Sequence, residues 1–262
     1  MRRGCVPVRS RYDYSPSRNP VRFEMTKQGY RRVMVKLSGE ALAGGAGFGI
    51  DDRTLQTVAT DIAAAQAFGS SLGVVVGGGN FLRGAKATGD GLARATADTM
   101  GMLATVINAL ALEAAIERAG CRARTMSALA MPQACESYSR QRALELMAAG
   151  HVVVFAGGTG NPYFTTDTTA VLRASEMNCD AVFKATNVDG VYTADPKTDP
   201  SATRFDKLTH DQAIERNLKV MDATAFALAR DNAMPIIVFS IRDAGAISAA
   251  VRGSARVTIV GG

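Results

Sequence analysis

Three stretches of this 262-residue chain set glycines beside charged or hydroxylated residues in a way that could hold phosphate. The first is Lys36-Leu37-Ser38-Gly39-Glu40, followed closely by Gly44-Gly45-Ala46-Gly47-Phe48-Gly49. The second is Gly77-Gly78-Gly79-Asn80, with Arg83-Gly84 just behind it. The third runs from Ala156 through Gly157, Gly158, Thr159, Gly160, Asn161, Pro162, Tyr163, Phe164, Thr165 and Thr166 to Asp167. Glycines let backbone N–H groups approach an anion without a Cβ in the way, and a helix starting behind them adds its partial positive charge. One such turn is often purely structural. Three of them, two with a cation (Lys36, Arg83), point to a site for a polyanion.

Several phosphate and nucleophile chemistries do not fit. No Gly-Lys dipeptide occurs, so the loop G-x-x-x-x-G-K-S/T is absent. The pattern G-x-G-x-x-G follows none of the candidate strands, which argues against a dinucleotide cofactor. The H-R-D and D-F-G signatures of protein kinases are missing. His151 and His210 are the only histidines and have no catalytic motif around them. Lysine, arginine, aspartate and glycine loops remain. That inventory suits phosphoryl transfer, in which catalysis is positioning and charge neutralisation more than proton shuttling.

The elements that must position these loops follow from the apolar pattern. Short β-branched runs at Val33–Leu37, Leu72–Val76, Val152–Phe155, Ala181–Phe183 and Ile236–Phe239 read as strands. Between them, Arg53–Phe68, Thr99–Ala119, Arg140–Ala149, Thr168–Met177 and Thr224–Asn232 read as helices. Runs that are apolar throughout fit parallel strands covered on both faces. The repeating β-α-β order predicts a single-domain three-layer αβα sandwich with a mostly parallel central sheet. Ligands of such sheets bind outside the carboxyl ends of the strands, where the glycine loops fall.

Composition is that of a globular protein, 47% hydrophobic and 21% charged. The net charge of +6 is concentrated in residues 1–24, where six arginines face only Asp13 and Glu24. The remainder is close to neutral, so composition gives no nucleic-acid surface. Residues 1–30 read as a basic, proline-broken extension, or as an over-long reading of the start with Met25 as initiator; 31–262 read as the domain. Cys5, Cys121, Cys135 and Cys179 are too far apart for a C-x-x-C motif and read as free thiols in a reducing cytoplasm. The longest apolar stretch, Met100–Ile116, is interrupted by Thr105, Asn108 and Glu113 and reads as a core helix rather than a membrane span. Met100, Met102 and Leu103 read as core within it.

The order of V-K-L-S-G-E-A-L, G-G-G-N-x-x-R-G, D-x-M-G-M-L-A-T, T-G-N-P-Y-F-T-T-D, K-A-T-N-V-D-G-V-Y-T-A-D-P and K-V-M-D-A-T-A resembles that of the bacterial uridylate (UMP) kinases, of the amino-acid-kinase fold. The segments cover residues 33 to 240 without a large gap, and T-G-N-P-Y-F-T-T-D is the most specific.

The resemblance implies an enzyme that transfers the γ-phosphoryl group of ATP to UMP. Lys36, Leu37, Ser38 and Gly39 would wrap the ATP phosphates, with Lys36 neutralising the transferred group. Gly79, on the ATP side, and Gly78, on the UMP side, would line the meeting point of the substrates, and Arg83 would reach phosphate. Asp98 would hold the UMP ribose. Thr159, Gly160, Asn161, Pro162, Tyr163, Phe164, Thr165 and Thr166 would embrace UMP, and Asp167 would orient Lys36 or the shell of a magnesium ion. Thr186, Asn187, Tyr192 and Asp195 would form the adenosine pocket. Gly44, Gly45, Ala46, Gly47, Phe48 and Gly49 match the segment tied to GTP activation in a family of UTP-inhibited homohexamers. The resemblance implies Mg²⁺ arriving with ATP, and no dedicated metal site in the protein. Thr99 stands where many relatives carry histidine.

The chemistry agrees with the residue inventory. A nucleoside monophosphate is largely a dianion at neutral pH, with a second pKa of about 6, so its oxygen needs no general base. The difficulty is repulsion between two anions, which cations and backbone donors offset. Plainer readings stand beside these: Lys36 as an ordinary strand-end lysine, Arg83 as surface charge, Asp98 and Asp167 as helix caps, and Tyr192 as packing; Lys184, after a buried strand, reads equally as a phosphate contact or as a residue without a role. Two other functions stay open, a kinase of the same fold acting on a carboxylate, carbamate or isoprenoid phosphate, and a non-catalytic nucleotide- or oxyanion-binding protein.

Overall fold

The computed structural model describes residues 29–82 and 91–261. Strand β1 (Arg32–Leu37) is, after Arg32, a buried apolar run broken only by Lys36, and it lies at the middle of the sheet. Around it nine strands form one sheet in the order β4-β3-β5-β2-β1-β6-β10-β11-β9. Their ranges are β2 Ser71–Val76, β3 Ala123–Ser127, β4 Glu136–Ser137, β5 Val152–Ala156, β6 Ala181–Thr186, β9 Lys207–Leu208, β10 Ile236–Ser240 and β11 Val257–Val260. Every pair is parallel except β10 with β11. Strands β7 (Val191–Tyr192) and β8 (Arg204–Phe205) form a separate antiparallel ribbon.

Because β1 pairs with β2 on one side and β6 on the other, the strand order reverses there. That is the switch point at which α/β sheets open a crevice.

Alternate residues of each strand feed two cores. On one face Val33, Val35, Leu37, Val74 and Val76 pack under helices α1 (Asp52–Ala67), α2 (Arg94–Arg118) and α7 (Ala246–Val251). On the other, Met34, Val75, Val153, Phe155 and Val182 pack under α3 (Arg140–Ala148), α4 (Thr166–Glu176), α5 (His210–Glu215) and α6 (Ala223–Asp231). This is the three-layer αβα sandwich expected from the sequence.

Helix α1 shows how the local rules combine. Asp51 caps it by accepting the Thr54 N–H at 2.8 Å. Leu55, Val58, Ala59, Ile62 and Ala65 bury one face at helical spacing, and Gly69 leaves it at φ +93°. Ile62→Ala would cost about 2–5 kcal/mol by leaving a cavity under the sheet.

The structure departs from the sequence expectations at several points. The five expected strands are present, each longer by one to three residues. Strand β3 (Ala-Arg-Thr-Met-Ser) lacks an apolar run, and the two-residue strands carry too little pattern to read. Helix α2 begins at Arg94 rather than Thr99, so Asp98 lies inside its second turn and is not a cap. Met102 is buried as expected, but Met100 and Leu103 are 43% and 44% exposed. With Ile107 and Leu110 they form an outward apolar stripe on α2, which the high hydropathy of the whole helix hides. Helix α2 is long and apolar enough to cross a membrane by length and composition, yet it packs along the sheet and is half buried. Tyr30 is part of the core, its ring edge-on to Phe183 at 4.9 Å.

Candidate active site

The carboxyl ends of β1, β2, β5 and β6 bring the glycine loops together. Lys36 and Lys184 are register partners on β1 and β6, only 6% and 8% exposed. Both ammonium groups reach one oxygen of Asp167, Lys36 Nζ at 2.7 Å and Lys184 Nζ at 2.5 Å from Oδ1. Asp167 sits in the first turn of α4, whose cap is Thr165; the threonine Oγ1 accepts the N–H groups of Asp167 and Thr168. Burial alone would raise the Asp167 pKa, but the charges of Lys36 and Lys184 outweigh it and hold the carboxyl below the ordinary range. Burial, reinforced by the Lys36 charge, lowers Lys184 to about 8 against the pull of Asp167. The cluster therefore carries a net positive charge out of bulk water, at the head of a helix.

Lys184 is the member of this cluster that sequence reasoning undervalued. Its signal was a lysine inside an otherwise apolar buried strand, and its importance depends on a partner strand that only folding supplies.

The loop after β1 is built from backbone. Leu37 is fully buried, and its carbonyl accepts the Gly77 N–H at 2.9 Å. Ser38 caps a 3₁₀ turn, Gly39–Leu42, by accepting the Ala41 N–H at 3.2 Å. A Cβ on Gly39 would lie 2.4 Å from Asn80 Oδ1 and 2.7 Å from both Gly77 O and Gly79 N, so only glycine lets the two loops meet. Gly78 is equally confined, 2.7 Å by the same measure from the Gly101 carbonyl of α2. Helix α2 also fixes the third loop, where Thr105 Oγ1 accepts the Gly157 N–H at 2.8 Å. Arg83 lies outside the described residues.

The third loop forms a rim. Tyr163 and Phe164 are exposed, and Tyr163 adopts φ +73°, a conformation unfavourable to an aromatic residue. Its N–H donates to Asp98 Oδ2 at 2.8 Å, and Arg94 Nε donates to both Asp98 oxygens at 2.9 Å while its guanidinium lies 5.8 Å from the Tyr163 ring centroid. Asp98 thus joins α2 to the rim. Thr159 and Asn161 fold their own turn, with Asn161 N donating to Thr159 Oγ1 at 3.2 Å. Thr165 donates to Asp222, the cap of α6, and Thr168 Oγ1 donates to the same carboxylate at 3.1 Å. That second aspartate, in K-V-M-D-A-T-A, ties two helix starts together.

Beyond β6 and β10 lies an open cleft of about 320 Å³, lined by Asn187, Val188, Asp189, Pro196, Lys197, Ser240 and Arg242. Of the four residues expected there, Asn187 lines it. Tyr192 borders it through a 2.6 Å hydrogen bond to Asp189, Thr186 Oγ1 accepts the Val188 N–H at 3.1 Å, and Asp195 accepts the Lys197 N–H at 2.9 Å. The segment Gly44–Gly49 runs from a 3₁₀ turn to Gly49, which is docked on Asn80, and leaves Phe48 exposed, 5.8 Å between ring centroids from Phe81.

Among the described residues no three His, Cys, Asp or Glu side chains group as a metal site. Asp167 is one carboxylate at these loops and Glu40 another, its Oε1 3.4 Å from a Cβ placed on Gly79; hard carboxylate oxygens of this kind fit the water shell of a magnesium ion carried on nucleotide phosphates.

This arrangement, two lysines and an aspartate above glycine loops at a sheet switch point, has the chemistry that phosphotransfer needs. The chain belongs to the amino acid kinase family, whose profile matches residues 31–240. Within that family it is 64% identical to the uridylate kinase of Azorhizobium caulinodans, over 88% of this chain and 97% of that one. It is 62% identical to the uridylate kinase of Bradyrhizobium sp. strain BTAi1, over 91% of this chain and all of the relative. Among solved structures, UMP kinase from Bacillus anthracis superposes with a TM-score of 0.85 at 37% identity, covering 89% of this chain and 96% of the other.

Proposed function

We propose that the chain is an ATP-dependent UMP kinase, giving UDP and ADP. The carrying observation is the Lys36–Asp167–Lys184 cluster at the mouth of three glycine loops, in a chain so close to uridylate kinases over nearly their whole length. ATP enters along Leu37, Ser38, Gly39 and Gly79, its base toward Thr186, Asn187, Tyr192 and Asp195. UMP lies against Gly78, Asp98 and the rim from Thr159 to Thr166. Lys36 and Lys184 neutralise charge on the transferring phosphoryl group, Asp167 holds both lysines in place, and Arg83 adds a further cation. Asp167 would hold the water shell of a Mg²⁺ ion arriving with ATP, which would add charge neutralisation there. The UMP phosphate attacks as a dianion without a base.

The same resemblance assigns Gly44–Gly49 to GTP activation, with UTP as inhibitor, and a homohexamer in the cytoplasm. The apolar stripe on α2 supports assembly, because a face of Met100, Leu103, Ile107 and Leu110 open to water favours a partner. Residues 31–262 carry the activity and 1–30 are an extension to it.

The test is ADP production from ATP and magnesium with UMP, CMP, AMP and GMP in turn. UMP should exceed CMP by about 100-fold or more in kcat/KM, because a site that hydrogen-bonds one polar base edge leaves buried groups unpaired against another. Comparable values for the two pyrimidines would overturn the assignment.

A further inference from the structure

Asn80 and Asn108 are the most completely buried amides near the site, 1% and 0% exposed. They form a closed pair: Asn80 Nδ2 donates to Asn108 Oδ1 at 2.9 Å, and Asn108 Nδ2 donates to Asn80 Oδ1 at 2.7 Å. Each amide has one N–H left. Asn108 gives its own to the Gly77 carbonyl at 2.7 Å, and Asn80 gives its own to the Gly49 carbonyl at 2.7 Å. The main chain repeats the second link, with Gly49 N–H donating to the Asn80 carbonyl at 3.0 Å. On its remaining side Asn80 Oδ1 lies against Gly39, where no Cβ fits.

Two amides inside an apolar core destabilise unless every polar atom is matched, and here all four N–H bonds are used. A Leu–Leu contact would fill the space without that requirement. The amides do what leucines cannot: they fix the height of three glycine backbones relative to each other. Gly77 is the centre of this arrangement, since its N–H donates to the Leu37 carbonyl and Thr166 Oγ1 would lie 3.4 Å from a Cβ placed on it.

We infer that the Asn80–Asn108 pair is the positioning device of the reaction floor, holding Gly77–Gly79 against Gly39 so that donor and acceptor phosphates meet in line. Both side chains are closed off from a ligand by burial and by their protein partners, so their contribution lies in kcat through geometry. A misplacement of about 1 Å costs on the order of 100-fold in rate. The inference rests on Gly39 and Gly77–Gly79 forming the phosphate floor.

Asn108→Asp keeps shape and volume but presents an oxygen to the Gly77 carbonyl. Asn80→Asp does the same to the Gly49 carbonyl. Each variant is assayed at 25 °C, well below its melting point by circular dichroism, with Lys36→Ala alongside. The expected result is a kcat lower by about tenfold or more, with KM for both nucleotides within about threefold of the parent. If Asn108→Asp does not fold, Asn80→Asp is read by the same criterion. A smaller fall in kcat, or a loss seen only as raised KM, overturns the inference. With Lys36→Ala inactive, that result would overturn the positioning role alone; an active Lys36→Ala would overturn the site itself.

Discussion

Lys36 and Lys184 stand opposite each other on adjacent parallel strands and share a single oxygen of Asp167. Like charges this close repel strongly in a buried setting, so the carboxylate is what permits both to remain cationic. The cluster is held together in the resting protein by the residue that would orient it during transfer.

Lys36→Ala should lower kcat by on the order of 10³ or more while the protein stays folded, as expected for loss of a transition-state cation. Asp167→Asn should lose most of kcat with less effect on nucleotide KM, since the lysines lose their anchor but the loops remain. The double variant should be little worse than the worse single one. Steady-state kinetics on the three proteins decide this, and strictly additive losses would show that the residues do not act as a unit.

The lowered pKa of Lys184 predicts an alkaline limit. In the free protein its ammonium is lost as pH rises through about 8, and with it a charge that draws in ATP phosphates. The kcat/KM for ATP should therefore fall above that pH. The limb in kcat should lie higher, because bound phosphate favours the charged lysine. Initial rates from pH 6 to 10 measure both limbs. In Lys184→Gln the limb in kcat/KM should be absent from an already low plateau.

Asp61 of α1 is buried and caps another helix. Its carboxylate accepts the N–H groups of Ile247 at 2.6 Å and Ser248 at 2.9 Å, where α7 has only Gly245 as its own cap. Asp61→Ala strands two buried donors and should cost about 2–4 kcal/mol. A melting temperature lower by about 5–10 °C, with kcat unchanged, is the expected outcome in a thermal scan.

Ile107 lies at the middle of the exposed apolar stripe, 51% exposed. Ile107→Asp should shift the protein to a smaller assembly in sedimentation velocity if α2 is a subunit interface. An unchanged sedimentation coefficient would move the interface elsewhere.

A chain starting at Met25 should keep the kcat and the assembly of the full chain. The family match begins at residue 31, and Tyr30 just before it donates its N–H to the Val251 carbonyl at 3.2 Å. Loss of either property would make the basic arginine-rich stretch part of the working protein.

Local pattern was enough for the framework. Buried parallel strands must be apolar on both faces, so β1, β2, β5, β6 and β10 announced themselves, and the glycine loops marked their carboxyl ends. Lys36 and Asp167 could be named from motif and spacing because each sits in a recognisable strand-to-loop junction. Other features depended on pairing between distant segments. Lys184 became a partner of Lys36 only through the β1–β6 register, 148 residues apart in chain position. Asn80 and Asn108 read as a loop end and a polar interruption in a helix until folding closed their amides on each other. Met100 and Leu103 read as core because hydropathy reports what a residue prefers, whereas the rotation of α2 against the sheet decides which face meets it. Sequence determined which chemistry the chain could carry, since residue types and backbone freedom are local properties. Tertiary structure decided which charges share an oxygen and which glycines touch, because those distances are set by strand order and packing.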